Sequence, residues 1–547
     1  MGGTDMAMRP RPPQPEPPSP YLPPGPEALT FDQFNGINTS TSRAGVKNEE
    51  MWWCDGFIPI GPRMLRTLYG VGEELWDVTS VFATGVSITL IWFGNISFTP
   101  VCIAVCSNGA IVAINTDTGN ASLIAAAGTL PSPDSKNTSI TQSGSGYFIF
   151  VNAGTSNGYF IWDGTTFYEP GDPFLAGAIP TGISGNAVEV YAGRVWVANY
   201  PVVQFSAPGS LIDFTTVSGG GSFSSSDSFL RTGFTALRQS NGFLYLVADS
   251  SINYISGVQT SGSPLVTTFT NQNADPEVGS AWPWSVTTFG RNILLANPFG
   301  VHVSYGAAVT KISEALDGVY GTVPDFGGLL PSSAKAIVFG KKIFCLLLPI
   351  IDPVTGQQVN KLMIWNGKIW FASEQDVNLT FIGTQEIDSV LTAWGTDGQK
   401  IYPLFQTPTS DFHKTVQSRL WDAPVGIEEF KSVQRLWGAC QLFTTEDTDI
   451  VVKIDNEHGP ILESSYTPEY EAVHPMTWTG LGGLPLTWTG LNGDTLSWLT
   501  AGIGLVPFRP TAVSQNGVFI GFTATTTCPD LALVMLKMAP EVVGYRG

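Results

Sequence analysis

Along most of this 547-residue chain, short apolar runs are cut by glycine. Some alternate apolar and polar positions, as in GRVWVANY from Gly193. Others are nearly continuous, as in GYFIFVN from Gly146 and GKKIFCLLL from Gly340. Alternation at period two marks a strand with one buried face, and a short unbroken apolar run between turn residues fits a strand buried on both. The helical period of 3.6 is almost absent. Seven such runs follow a marker glycine, at Gly109, Gly146, Gly193, Gly242, Gly290, Gly340 and Gly398. The four intervals between Gly146 and Gly340 fall within 47 to 50 residues, whereas the first is 37 and the last is 58. Another strand commonly precedes the marker (VEVYAG, WSVTTFG, AKAIVFG) and a third follows (YFIWDG, INYISG, VHVSYG, KLMIWNG).

Short strands repeating near 48 residues predict an all-β chain with a β-propeller over 85–406, one four-stranded blade per repeat. Seven markers give seven blades; the unequal end intervals leave six as the alternative. Solenoid repeats are shorter, and a sandwich has no reason for a steady period. The pairs Trp76–Asp77, Trp162–Asp163 and Trp421–Asp422 do not recur at blade spacing. The marker glycines are expected to supply the positive φ of tight hairpins.

The segments outside the repeat differ. Residues 1–30 carry ten prolines between Pro10 and Pro26, which predicts an extended arm docked on a neighbour. Residues 31–84 form a docking or closing segment. After residue 407 longer strands (TVQSRLWDAPV, KSVQRLWGACQLF, TDIVVKIDNEHG, NGVFIGFTATT) predict a C-terminal β-sandwich-like domain, 407–547. Within it, 477–506 hold a ten-residue phrase three times, TWTGLGGLPL, TWTGLNGDTL and SWLTAGIGLV, placing Trp478, Trp488 and Trp498 ten apart. Gly482–Gly483 and Asn492–Gly493 read as two-residue turns, so a three-stranded meander should pair 478 with 487 and 488 with 497. Trp478 and Trp498 would then share one face and Trp488 the other, one packing on its own domain and one meeting a neighbouring subunit; burial of the whole meander within one subunit is the other reading, and loops of three residues or more would let all three rings line one face.

Composition narrows the function. Charged residues are 13% and the net charge is −19. Such a chain is not expected to grip DNA phosphates, although an acidic wall would let a duplex slide past. Val78–Thr116 holds no charged residue, but Gly94, Asn95, Pro100 and Gly109 break it, so buried strands are expected rather than a membrane span. The first residues show no apolar core of a secretion signal. Six scattered cysteines make no disulfide framework. Cys102 and Cys106 on one strand would stand roughly 13 Å apart, so buried thiols folded in a reducing compartment are expected.

Candidate chemistry is sparse. The four histidines show no metal-ligand spacing, and neither a nucleophile elbow nor a phosphate-binding loop is present. Glu73–Glu74 and Glu428–Glu429 are neighbours, which on a strand point to opposite faces. NTDTGN at 115–120 has too little charge for a calcium loop and reads as a turn. No cluster of arginine and carboxylate on the propeller axis stands out. A non-enzyme without cofactor or metal is therefore expected.

The segment FDQFNGINTSTSRAGVKNEEMWWCDGFIPIGPRMLRTLYGVG, Phe31–Gly72, resembles the N-terminal region of tail nozzle, or tail hub, proteins of short-tailed bacteriophages. The matching positions are Gly36–Asn38, Ser42–Arg43, Glu49–Glu50, Trp52–Trp53, Asp55–Gly56 and Arg63 to Gly70. The resemblance continues through the propeller into Arg419–Gly438 and the tryptophan decapeptides. It implies a virion protein, folded in the host cytoplasm. Such proteins form a homohexameric ring below the head-to-tail adaptor, pass genomic DNA without specific binding, and carry fibres or spikes. Arg43, Trp52, Trp53, Arg63 and Arg66, between arm and first blade, are then candidates for a subunit interface, and capping of the propeller core is the other reading of the two tryptophans. The competing function is a carbohydrate-binding or glycan-hydrolysing propeller.

Overall fold

The structure, a computed structural model, describes residues 28–545 except 83, 135, 226–232, 307, 321–330, 423–428 and 445–448; between 468 and 515 it describes only 478–479, 485–486, 488–489, 495–496 and 506–508. The chain is all-β, with a single α-helical turn, Asp317–Tyr320, among the described residues. Six antiparallel four-stranded sheets and the first four strands of a larger sheet follow one another in a β-propeller. Their first strands are Ile88–Ile96, Thr138–Ser143, Ala187–Tyr191, Phe234–Ser240, Thr287–Phe289, Ser332–Val338 and Phe381–Ile387. The last sheet borrows its fourth strand from the start of the repeat, where Trp76–Asp77 pairs with Lys400–Pro403. That pairing ties the chain's beginning to its final sheet and closes the ring without an open edge.

The steady period has a physical cause in hydrogen bonds between equivalent positions of successive sheets. The Val188 N–H donates to Ser139 Oγ (3.3 Å), Arg238 Nε to the Val286 carbonyl (3.1 Å), Ser333 Oγ to the Trp284 carbonyl (2.9 Å) and the Lys335 N–H to Thr384 Oγ1 (2.7 Å). Each links residues 48 or 49 apart. The nearly continuous apolar strands are explained by the same stacking. On Tyr147–Asn152, Ile149 and Val151 pack against Val188, Val195 and Val197 of the third sheet, while Phe148 and Phe150 face the first sheet's cluster. A sheet held between two others needs apolar residues on both faces.

The uneven end intervals come from which hairpin holds the glycine. Gly193, Gly242 and Gly340 turn between the first and second strands of their sheets, at φ of 69°, 81° and 72°. Gly109 and Gly398 instead turn between the second and third. In the first and seventh sheets the equivalent first turn is made without glycine, by Ser97–Phe98 and Asp388–Ser389, all at positive φ. Counted by that turn, from Phe98 to Ser389, every step is 47 to 50 residues. Gly146 departs from expectation, since Gly144 carries the positive φ of its hairpin.

The sixth sheet does not stop at four strands. Trp53–Asp55 pairs in parallel with Trp370–Ser373 and antiparallel with Lys414–Gln417, and Gly521–Thr526, Ile450–Asn456 and Gly459–Tyr466 extend the sheet to nine strands. A second sheet contains Phe57–Gly61, Met64–Thr67, Leu531–Tyr545, Glu429–Leu442 and Val506–Phe508, with Leu29–Phe31 and Asn516–Gly517 at its sides. Both sheets share one apolar cluster, including Phe31, Trp53, Val452, Phe522 and Leu536, which runs on into Phe344 and Phe371 of the propeller. The end of the expected arm is thus a strand, Leu29–Phe31, paired with Leu536–Met538; residues 1–27 lie outside the described residues.

The expected tryptophan meander is corrected. Trp478 pairs with Leu486 rather than 487, and Trp488 with Leu496 rather than 497. These are two separate two-stranded pairs with connections longer than two residues, so the alternation argument for the rings does not hold. Trp498 lies outside the described residues. The uncharged stretch from Val78 to Thr116 supplies three strands of the first sheet, and no helix among the described residues is long and apolar enough to cross a membrane. All six cysteines are buried thiols, and burial alone pushes the Cys106 thiol up to about 12.

Candidate functional site

Two places concentrate polar chemistry: the joint between propeller and C-terminal sheets, and the propeller axis. The joint is built by the very segment that carries the resemblance. Gly36 sits at φ +94°, and a Cβ there would lie 2.7 Å from Ile369 Cβ, so the turn packs directly on the sixth sheet. Gly56, at φ +71°, meets the stem of Lys414 as closely. Asn38 donates to Glu50 (2.7 Å). Arg43 donates to the Ser418 and Phe522 carbonyls and pairs with Asp455 at 2.5 Å. Arg66 forks onto both oxygens of Asp530 (2.9 and 2.8 Å) and lies over the rings of Phe339 and Phe443.

At the centre of the joint, fully buried Lys361 meets Asp55 (2.5 Å), Asp352 (3.0 Å) and Glu374 (2.8 Å). Three carboxylates close enough to hold a cation are thus filled by an ammonium. Burial disfavours the charged lysine, yet the three carboxylates hold its pKa above the usual value. One cation cannot balance three anions, and burial raises Asp55 despite Lys361. Among the described residues, nearby Lys414 has no carboxylate within ion-pair distance. Its ammonium donates to the Thr409 carbonyl (2.8 Å) and lies 4.1 Å from the Phe412 ring, and burial pushes its pKa down to about 8.

The interface candidates are therefore redistributed. Trp53 is fully buried and belongs to the core, which corrects its reading as an interface residue. Arg43 and Arg66 spend their guanidinium groups within the chain. Half-buried Trp52 packs beside the same core, and Arg63 is exposed, 3.9 Å from Asp32. Sequence spacing missed the partners Asp352, Lys361, Glu374, Asp455 and Asp530, which lie hundreds of residues away. NTDTGN is a turn, in which Asn115 Oδ1 accepts the N–H groups of Asp117 and Thr118.

The axis overturns another expectation. A cavity of about 420 Å³ lies where the seven first strands converge, and arginine, lysine and two glutamates line it: Arg238, Lys335, Glu189 and Glu386. No short motif announces them, because each comes from a different sheet. Arg238 spends Nε on the Val286 carbonyl and Nη1 on its neighbour's carbonyl at Leu237. Glu189 Oε1 accepts from Thr141 (3.2 Å). Burial raises the Glu189 pKa, with Arg238 opposing, and lowers those of Arg238 and Lys335.

No protein-family model matches the chain, and no curated protein matches it. Solved structures of similar shape include Raptor from Chaetomium thermophilum, 10% identical with a TM-score of 0.36, over 62% of this chain and 30% of that one. BBS1N, crystallised with ARL6DN, is 9% identical with a TM-score of 0.35, over 64% and 98%. BamB from Moraxella catarrhalis is 13% identical with a TM-score of 0.32, over 64% and 96%. This chain thus spans under a third of the Raptor chain. These are likenesses of fold alone.

Proposed function

We propose that the chain is a ring-forming structural subunit of a bacteriophage tail, a nozzle or hub that surrounds the DNA path below the head-to-tail adaptor. The observation that carries this reading is the joint. The residues that give the resemblance, Gly36, Asn38, Arg43, Trp53, Asp55, Gly56 and Arg66, converge on one place and lock propeller to C-terminal sheets. A motif whose members fix the relative position of two β-units fits a load-transmitting subunit. The net charge of −19 fits a wall that passes DNA without holding it. Fibres or spikes and the adaptor are the partners that the resemblance implies.

The test is the mass and symmetry of the purified full chain, by light scattering and particle imaging. A cyclic oligomer, six-fold on this reading, that binds duplex DNA weakly is expected. A stable monomer, or tight salt-sensitive duplex binding, overturns the proposal and favours the carbohydrate-directed alternative.

A further inference from the structure

We propose that the axial cavity is a binding site for a neutral, polyhydroxylated small molecule of mono- or disaccharide size. The inference stands apart from the ring, since the cavity lies within one chain. Its volume, about 420 Å³, is in the range of small-ligand sites. Side chains of the seven sheets face it, so the hydrogen bonds that hold the sheets together also hold its walls.

The carrying observation is that four charges share this space and none is in an ion pair. Among the described residues, Glu189, Arg238, Lys335 and Glu386 belong to no salt bridge, although both signs line the same cavity. Among the described residues, the Lys335 ammonium has one side-chain contact, Thr288 at 3.4 Å, and Arg238 lies over the Trp284 ring at 5.4 Å with no hydrogen bond from its second terminal nitrogen. Glu386 is exposed and the other three are partly so, so water reaches them in the cavity; a molecule whose hydroxyls bridge the four groups can take the place of that water. Burial shifts the pKa values of Glu189, Arg238 and Lys335 toward their neutral forms, in keeping with partial removal from water.

The balance of signs selects the class of ligand. Two cations face two carboxylates, so an anion or a cation would satisfy one pair and oppose the other. A hydroxyl donates and accepts at one atom, and adjacent hydroxyls can join a glutamate to an arginine or lysine. Trp92 and Trp284 supply apolar surface to the same cavity, with Arg238 over the Trp284 ring.

The experiment uses the full chain with glucose, galactose, maltose and lactose, and with inorganic phosphate as the ionic probe. Saturation-transfer NMR and calorimetry read binding. At least one sugar is expected to bind with a Kd tighter than about 10 mM, and phosphate is not. Glu189→Gln and Lys335→Met should each weaken that binding about tenfold, the loss of one hydrogen bond to a charged group. Melting curves accompany both variants; if Glu189→Gln unfolds early, Lys335→Met decides. No binding by any of the four sugars, preferential binding of phosphate, or sugar affinity unchanged in the folded variants overturns the proposal.

Discussion

The joint and the axial cavity are both rich in charge, and they use it in opposite ways. In the joint, Arg43, Arg66 and Lys361 each meet a carboxylate within 3.0 Å. On the axis, Arg238, Lys335, Glu189 and Glu386 face one space with no ion pair among them. The joint brings two β-units into contact, and any charge trapped there is costly unless it is met. A ring of strands around an axis leaves a hollow, and residues lining it can stay unpaired because solvent or a ligand reaches them. Charge in this protein is therefore architectural where sheets meet and available where they diverge.

The strongest test of that contrast is Lys361→Met. It leaves Asp55, Asp352 and Glu374 together without their cation and should cost about 3–5 kcal/mol at neutral pH in denaturant unfolding. In the variant, mutual repulsion raises the folded-state pKa values of the carboxylates, so the deficit should shrink as pH falls and they protonate. A deficit independent of pH would show that packing, not charge, was lost. Next in size, Arg66→Ala removes the fork to Asp530 and the contacts with Phe339 and Phe443. It should cost about 2–3 kcal/mol, and Arg66→Lys should recover only part of it, because an ammonium cannot make the paired bonds.

Lys414 sharpens the contrast from inside the joint, as a buried lysine held by carbonyls and a ring rather than by a carboxylate. Its pKa falls to about 8 from the usual 10.5 through burial. Between those values the unfolded chain holds a proton that the folded chain has released. Stability should therefore rise with pH across that window, by up to about 1.4 kcal/mol per pH unit, and Lys414→Met should flatten the rise. A wild-type profile that is flat or falling there would place the ammonium in a better-solvated site.

The smallest effect is expected on the axis. Glu189 has its pKa raised by burial, so its charged form costs stability as pH climbs through and above the carboxylate range. Glu189→Gln should leave stability within about 0.5 kcal/mol of the parent or slightly above it at neutral pH. A loss of 2 kcal/mol or more, on the scale of the joint's pairs, would erase the distinction between the two regions.

The chain's own pattern was enough for the all-β propeller, but not for the C-terminal strands, some of which continue the sixth sheet rather than standing apart from it. Strands sandwiched between other sheets must be apolar on both faces, and equivalent positions of neighbouring sheets bond to each other at a fixed offset. Both constraints write a visible period near 48 into the sequence. The glycine markers blurred at the ends because Ser97–Phe98 and Asp388–Ser389 make the same turn without glycine. The segment Phe31–Gly72 stood out because its glycines, tryptophans and arginines fall within one short stretch that resembles a family phrase. What that motif does was not legible, since Lys361, Asp455 and Asp530 are brought to it only by the fold. The register of Trp478 and Trp488 also escaped the sequence, because an apparent two-residue turn does not fix pairing when longer connections are open to it. The axial cavity was the least readable of all: Glu189, Arg238, Lys335 and Glu386 come from four sheets with no common motif, and only closure of the ring makes them neighbours.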